Sequence, residues 1–208
     1  MDIFSPTTIV TKILVLLFAF PIHEFAHAWT ANYFGDDTPR LHGRLTLNPL
    51  AHLDVAGSLI FMLSYFGWAK PVPVNPSNLN HHNSKAYLLV SLAGPMSNLA
   101  LAIIAAIPIR MGLVHLTNNF FSVLLLNFII FNLILAIFNL IPLSPLDGGK
   151  VLNQLLPSSV RPFFETIDRY GPIILMVLLF VLPTIGINPL GAIINPIFNG
   201  IFGILTGR

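Results

Sequence analysis

Apolar residues in this chain gather into long unbroken runs instead of alternating with polar ones. The tracts 86–109, 111–146 and 170–207 contain no Asp, Glu, Lys or Arg. Each exceeds the roughly 20 residues an α-helix needs to cross the hydrocarbon core of a bilayer. Spans are predicted over 86–109 and 118–141, joined by a short link around Arg110 and His115. Another is predicted over 170–187, after a polar, water-facing stretch from Lys150 to Arg169. The last piece, 189–206, is rich in Gly, Pro and Asn, and its pattern allows either a crossing or a fold-back. Toward the amino terminus, Ile13–Ile22 resembles the core of a secretory signal, but Pro21, His23 and Glu24 interrupt it where such a segment should be plain. It reads as a retained helix over 8–33, ended by Gly35 and the pair Asp36-Asp37. Residues 36–54 form an interfacial loop by their Gly, Pro and Asn content. The next apolar piece, 55–68, is too short to span and runs into Pro71 and Pro73, which forbid helix, so a re-entrant or β-hairpin segment is predicted near 55–76. The fold class is an all-α polytopic membrane protein with about four to five transmembrane helices.

Composition agrees. Of 208 residues, 55% are hydrophobic and 9% charged, against roughly 25% charged in an ordinary soluble domain. With no cysteine, disulfides, thiolate metal sites and cysteine nucleophiles are excluded together, and any metal must be held by His, Asp or Glu. The formal charge of +2 comes from scattered basic residues, which leaves no patch for nucleic acid. Arg40, Arg44, Lys70, Lys85, Lys150, Arg161 and Arg169 fall on one side of this layout, and Lys12 and Arg110 on the other. Basic residues collect on the cytoplasmic side, so the amino terminus is expected outside, and Arg208 favours a final crossing back to the cytoplasm.

Acidic residues carry the chemistry. A carboxylate at mid-bilayer costs about 2.5 to 3.5 kcal/mol even on lenient scales and marks a functional site by default. Six of the eight acids sit in predicted loops or at their edges, whereas Glu24 lies inside the first helix and Asp147 at the end of the 118–141 span. Glu24 belongs to His23-Glu24-Phe25-Ala26-His27, an H-E-x-x-H pattern. On a helix its two histidines lie about 40° apart and one turn apart in height, so both reach one tetrahedral Zn²⁺. Glu24 then stands beside a water on that metal as a base that does not ligate it. Asp147 is the natural third ligand, in irregular backbone broken by Pro142 and Pro145 and followed by Gly148-Gly149. His115 and the pair His81-His82 fall in loops without supporting pattern, and their roles, like those of His52 and Asp54, stay open.

These residues resemble the site-2 protease family of intramembrane zinc metalloproteases. The resemblance rests on H-E-x-x-H at 23–27, the N-x-x-P-x-x-x-x-D-G pattern from Asn139 to Gly148, the element Ala93-Gly94-Pro95-Met96-Ser97-Asn98, and the stretch from Gly67 to Val74. The loop from Gly43 to Asp54 is similar to compact members, and the chain has no room for the PDZ or CBS domain that other members carry. The resemblance implies His23, His27 and Asp147 as zinc ligands and Glu24 as the catalytic glutamate. Asn139 and Asn98, polar in otherwise apolar helices, are expected to hold substrate backbone or a developing oxyanion. Trp68, Pro71, Val72 and Val74 are expected on an edge strand that an unwound substrate joins.

The resulting expectation is a single domain over 1–208, with a core at 8–152 and C-terminal helices at 170–206. It cleaves transmembrane segments with one Zn²⁺ per chain, in the plasma membrane, about 15 Å from the cytoplasmic end of the first helix at 1.5 Å per residue. Partners are transmembrane protein substrates and the lipid bilayer, with self-association left open. The competing readings are an interfacial zinc peptidase, for which only Glu165 remains as a third ligand, and a metal or proton transporter, for which repeat symmetry is lacking.

Overall fold

The computed structural model describes residues 2–79, 85–117 and 119–207. Helix α1 runs from Pro6 to Tyr33, with the hydroxyl of Ser5 accepting from the Thr8 amide at its start. It does not run straight. A π-helical turn over Val15–Ala19 precedes Pro21, whose missing N–H and bulky ring disturb the preceding carbonyl ladder. Two single turns follow, α2 (Thr38–Leu41) and α3 (Pro49–His52), then α4 (Val55–Leu63). Beyond a 3₁₀ turn at Pro76–Asn78 come α5 (Ala86–Arg110), α6 (Phe120–Asn139), α7 (Asp147–Leu155), α8 (Arg161–Ile185) and α9 (Pro189–Thr206). The helices α1, α5, α6, α8 and α9 are each long and apolar enough to cross a membrane. This is an all-α polytopic membrane protein.

Two expectations change at this level. The segment near 55–76 forms no hairpin of strands: 55–63 is helix, and the extended chain after it makes only the antiparallel bridge Leu53–Ala69 among the described residues. Asp54 explains the helix, because its Oδ1 accepts the Gly57 amide at 2.8 Å and caps the first turn. Pro71 and Pro73 explain the missing ladder, since neither can donate. The fourth span also begins at Arg161 instead of near residue 170, so much of the polar stretch is helix. Arg208 and the pair His81-His82 lie outside the described residues.

Helices α1, α5 and α6 form the centre, with 33–44% of their apolar windows buried, whereas α8 and α9, at 11%, are peripheral. One cluster joins Val15, Ala19 and Phe20 of α1 to Phe61 of α4 and Phe131 of α6. The ring centroids of Phe61 lie 5.2 Å from Phe20 and 5.6 Å from Phe131. Lys12, counted with Arg110 on the outer side, is not a solvent-exposed charge. It is fully buried, and its Nζ donates to the Met62 carbonyl at 3.0 Å while lying 4.8 Å from the Tyr65 ring centroid.

Helix α4 meets the extended chain backbone to backbone at glycine. A Cβ on Gly57 would stand 2.2 Å from the Trp68 carbonyl oxygen, and one on Gly67 would stand 2.5 Å from Phe61 Cβ. Downstream, Asp36 is fully buried and anchors the far end of this chain by accepting the Asn75 amide at 2.7 Å. Burial opposes its charge, but donors from Thr38, Asn75 and Asn78 outweigh it and hold its carboxyl below the usual range. The extended chain is therefore fixed at both ends. Gly57→Ala should gain about 1 kcal/mol of helix propensity yet lose more to overpacking. The expected result is a lower melting temperature in detergent, and an unchanged or raised one would contradict the close approach.

Candidate active site

His23 and His27 lie one turn apart on α1, and their Nε2 atoms are 3.1 Å from each other. Oδ2 of Asp147, at the first turn of α7, lies 3.2 Å from His23 Nε2 and 3.0 Å from His27 Nε2. The turn that delivers Asp147 depends on its glycines, since a Cβ on Gly148 would stand 2.3 Å from the Ile141 carbonyl oxygen. The other carboxylate oxygen, Oδ1, accepts from Lys150 Nζ at 2.9 Å.

The far side of each imidazole is also held. Polarity can be traced from the Phe128 carbonyl, which only accepts and takes the Asn132 amide at 2.9 Å. Asn132 then presents Oδ1 to Asn98 Nδ2 at 3.1 Å. Asn98 in turn presents its Oδ1 to His23 Nδ1 at 2.6 Å, so the proton sits on Nδ1 and the lone pair on Nε2. The Val90 carbonyl imposes the same tautomer on His27, at 2.7 Å from its Nδ1. Two imidazole lone pairs and a carboxylate oxygen therefore converge in a buried place, an arrangement that a cation satisfies.

The fit to zinc is close. A tetrahedral ion about 2.0 Å from each donor sets edges of about 3.3 Å, near the 3.0–3.2 Å observed. Gly94 of α5 supplies the room, because a Cβ there would stand 2.2 Å from His27 Nε2 and 2.6 Å from His23 Nε2. His23, His27 and Asp147 are the one group of this kind among the described residues. His115 is exposed in the α5–α6 loop and Glu165 is exposed on α8, so neither joins it.

A cavity of about 510 Å³ opens over these donors. Glu24, Asn98, Asn139 and Lys150 line it, and the chain from Trp68 to Val74 forms one wall. Glu24 is buried, and its Oε2 accepts the Val72 amide at 3.0 Å. Asn139 donates to the Leu135 carbonyl of its own helix at 3.0 Å. Trp68, Pro71, Val72 and Val74 line the cavity, whereas Asn98 has one end of its amide on His23 and the other on Asn132. Sequence reasoning missed Asn132, Lys150, and the space that Gly94 provides. Asn132 carried the same signal as Asn98, a fully buried polar residue in an apolar helix.

The profile of Peptidase family M50 matches residues 108–182, which include Asp147 but not His23 or His27. A zinc metalloprotease by name, YwhC of Bacillus subtilis strain 168, is 42% identical over 181 residues, covering 82% of this chain and 80% of its own length. The chain belongs to peptidase family M50. It is a zinc metallopeptidase of the site-2 protease type. Two proteins named as zinc metalloprotease Rip2 are also similar to this M50 protease. That of Mycobacterium tuberculosis H37Rv is 31% identical over 169 residues, covering 79% of this chain and 64% of its own length. That of Mycolicibacterium smegmatis is 29% identical over 170 residues, covering 76% and 62%. No solved structure matches the chain.

Two substitutions test the metal site. Gly94→Ala should abolish zinc retention in purified protein while helix content by circular dichroism stays unchanged. Asn98→Ala frees the His23 ring and should weaken zinc affinity by about 10- to 100-fold, as loss of an orienting partner does. Competition with a fluorescent chelator measures both, and wild-type affinity in either variant would contradict the geometry.

Proposed function

We propose that this M50 protease is a single-domain intramembrane endopeptidase that cuts membrane-spanning segments of other proteins. The observation that carries the reading is the burial of the donor cluster and Glu24 among long apolar helices, beneath a cavity walled by extended backbone. His23, His27 and Asp147 would hold the zinc. When bound, the metal supplies a Lewis acid and lowers the pKa of a water toward 7.

The chain's own residues supply the rest. Glu24 takes the proton from the attacking water and returns it to the leaving amine. Val72, by donating to Oε2, fixes which way the Glu24 carboxylate faces. The stretch Trp68–Val74 receives the substrate as an added strand, which is why the substrate helix must unwind first. Asn139, at the cavity wall, offers its amide to the substrate backbone, while Asn98 orients His23. Lys150 occupies Oδ1 of Asp147 and so leaves Oδ2 for the metal.

The count of basic residues supports an orientation with the amino terminus outside the plasma membrane and the cavity opening toward the cytoplasm. It holds without Lys12, which is buried and does not belong to a loop. Purified wild type and Glu24→Gln, incubated with a panel of transmembrane reporter peptides, test the reading. Both should carry about one zinc, and the variant should cut about 10²- to 10⁴-fold more slowly, with chelation stopping the wild type. Equal cutting by the two proteins, or none by zinc-loaded wild type, would end the proposal.

A further inference from the structure

The wall that faces Glu24 is itself held by one buried cation. Arg44, in the loop between α2 and α3, is only 5% exposed. Its Nη1 donates to the Pro71 carbonyl at 3.0 Å, and its Nη2 donates to the Lys70 carbonyl. The same Nη2 lies 3.4 Å from Nδ1 of His52. His52 is fully buried; its Nε2 donates to the Thr46 carbonyl at 2.7 Å, and its own carbonyl accepts the Lys70 amide at 2.7 Å. Both of these successive carbonyls face the one guanidinium, which fixes the rotation of the chain about residues 70 and 71.

That rotation has a consequence one residue later. Pro71 and Pro73 carry no N–H, so over residues 70–73 the backbone donors are the amides of Lys70 and Val72. The Lys70 amide is taken by His52 and the Val72 amide by Glu24. Where the Val72 amide falls relative to Glu24 is decided at 70–71, by the contacts of Arg44. We infer that Arg44 is a positioning residue that sets the register of the 68–74 wall against Glu24, and thereby selects which bond of an added substrate strand is cut. The inference rests on the protease reading above. It assigns a task to the Gly43–Asp54 loop, whose His52 and Leu53 complete the same clamp.

The planar fork matters more than the charge. Lysine has one ammonium and cannot grip two carbonyls in the same fixed geometry, while glutamine offers one short donor group. With its ends still held near Gly67 and at Asn75, a chain freed at 70–71 can rotate but not slide, so cleavage should lose its precision and spread to neighbouring bonds.

The test compares wild type, Arg44→Lys and Arg44→Gln for zinc content and for the bond cut in a transmembrane reporter peptide, mapped by mass spectrometry. Zinc content should stay at the wild-type value in both variants, because the three donors come from α1 and α7. Arg44→Gln should cut at least tenfold more slowly and at more than one neighbouring bond, and Arg44→Lys should recover part of the rate and favour the original bond. Two results would overturn the inference: wild-type rate at the same single bond in both variants, or loss of zinc from both, which would make Arg44 a general support of the fold. A wild type that holds zinc but cuts nothing would instead refute the protease reading itself.

Discussion

Three lone-pair donors brought within about 3 Å of one another, away from water, make the demand that the rest of this protein answers. Such a cluster repels itself until a cation enters, and its members would swing apart if they were free to do so. Each is therefore tied from behind. His23 leans on a chain of amides that ends at the Phe128 carbonyl of α6, His27 on the Val90 carbonyl of α5, and Asp147 on Lys150. The packing of α5 between α1 and α6 is what permits this, and Gly94 is the point where the approach is closest.

Around that centre the molecule divides into a fixed part and a lighter part. The three inner helices and the short α4 share one aromatic and aliphatic cluster, whereas α8 and α9 lie mostly exposed on the outside. The extended wall belongs to the fixed part. It is gripped near Gly57 by α4, at residues 70 and 71 by Arg44, and at Asn75 by Asp36. Held at three places, this segment keeps its position along the cavity.

Much of this was legible in the sequence because lipid is a severe solvent. Apolar runs marked the spans, and the cost of a carboxylate in hydrocarbon singled out Glu24 and Asp147 from eight acids. The same criterion reaches Asn132, which stands in an apolar run as plainly as Asn98. Other features left no such trace. Gly94 and Gly57 act through an absent side chain, and a glycine in a list of fourteen says nothing about what it faces. Arg44 is one basic residue in a polar loop until the fold lays residues 70 and 71 against it. The short apolar run 55–63 suits helix or strand equally by periodicity, and only the capping carboxylate of Asp54 tips it. The early start of α8 at Arg161 leaves no trace in hydropathy, because its first turns are polar and largely exposed.

His27 and Asp147 are separated by 120 positions in the chain yet meet at one point. A ribosome adds roughly 5 to 20 residues per second, so on the order of ten seconds passes between the emergence of the two. During that interval the two histidines exist without the carboxylate that completes their set. A newly made chain thus has no complete donor set until α5, α6 and the turn carrying Asp147 have been synthesised.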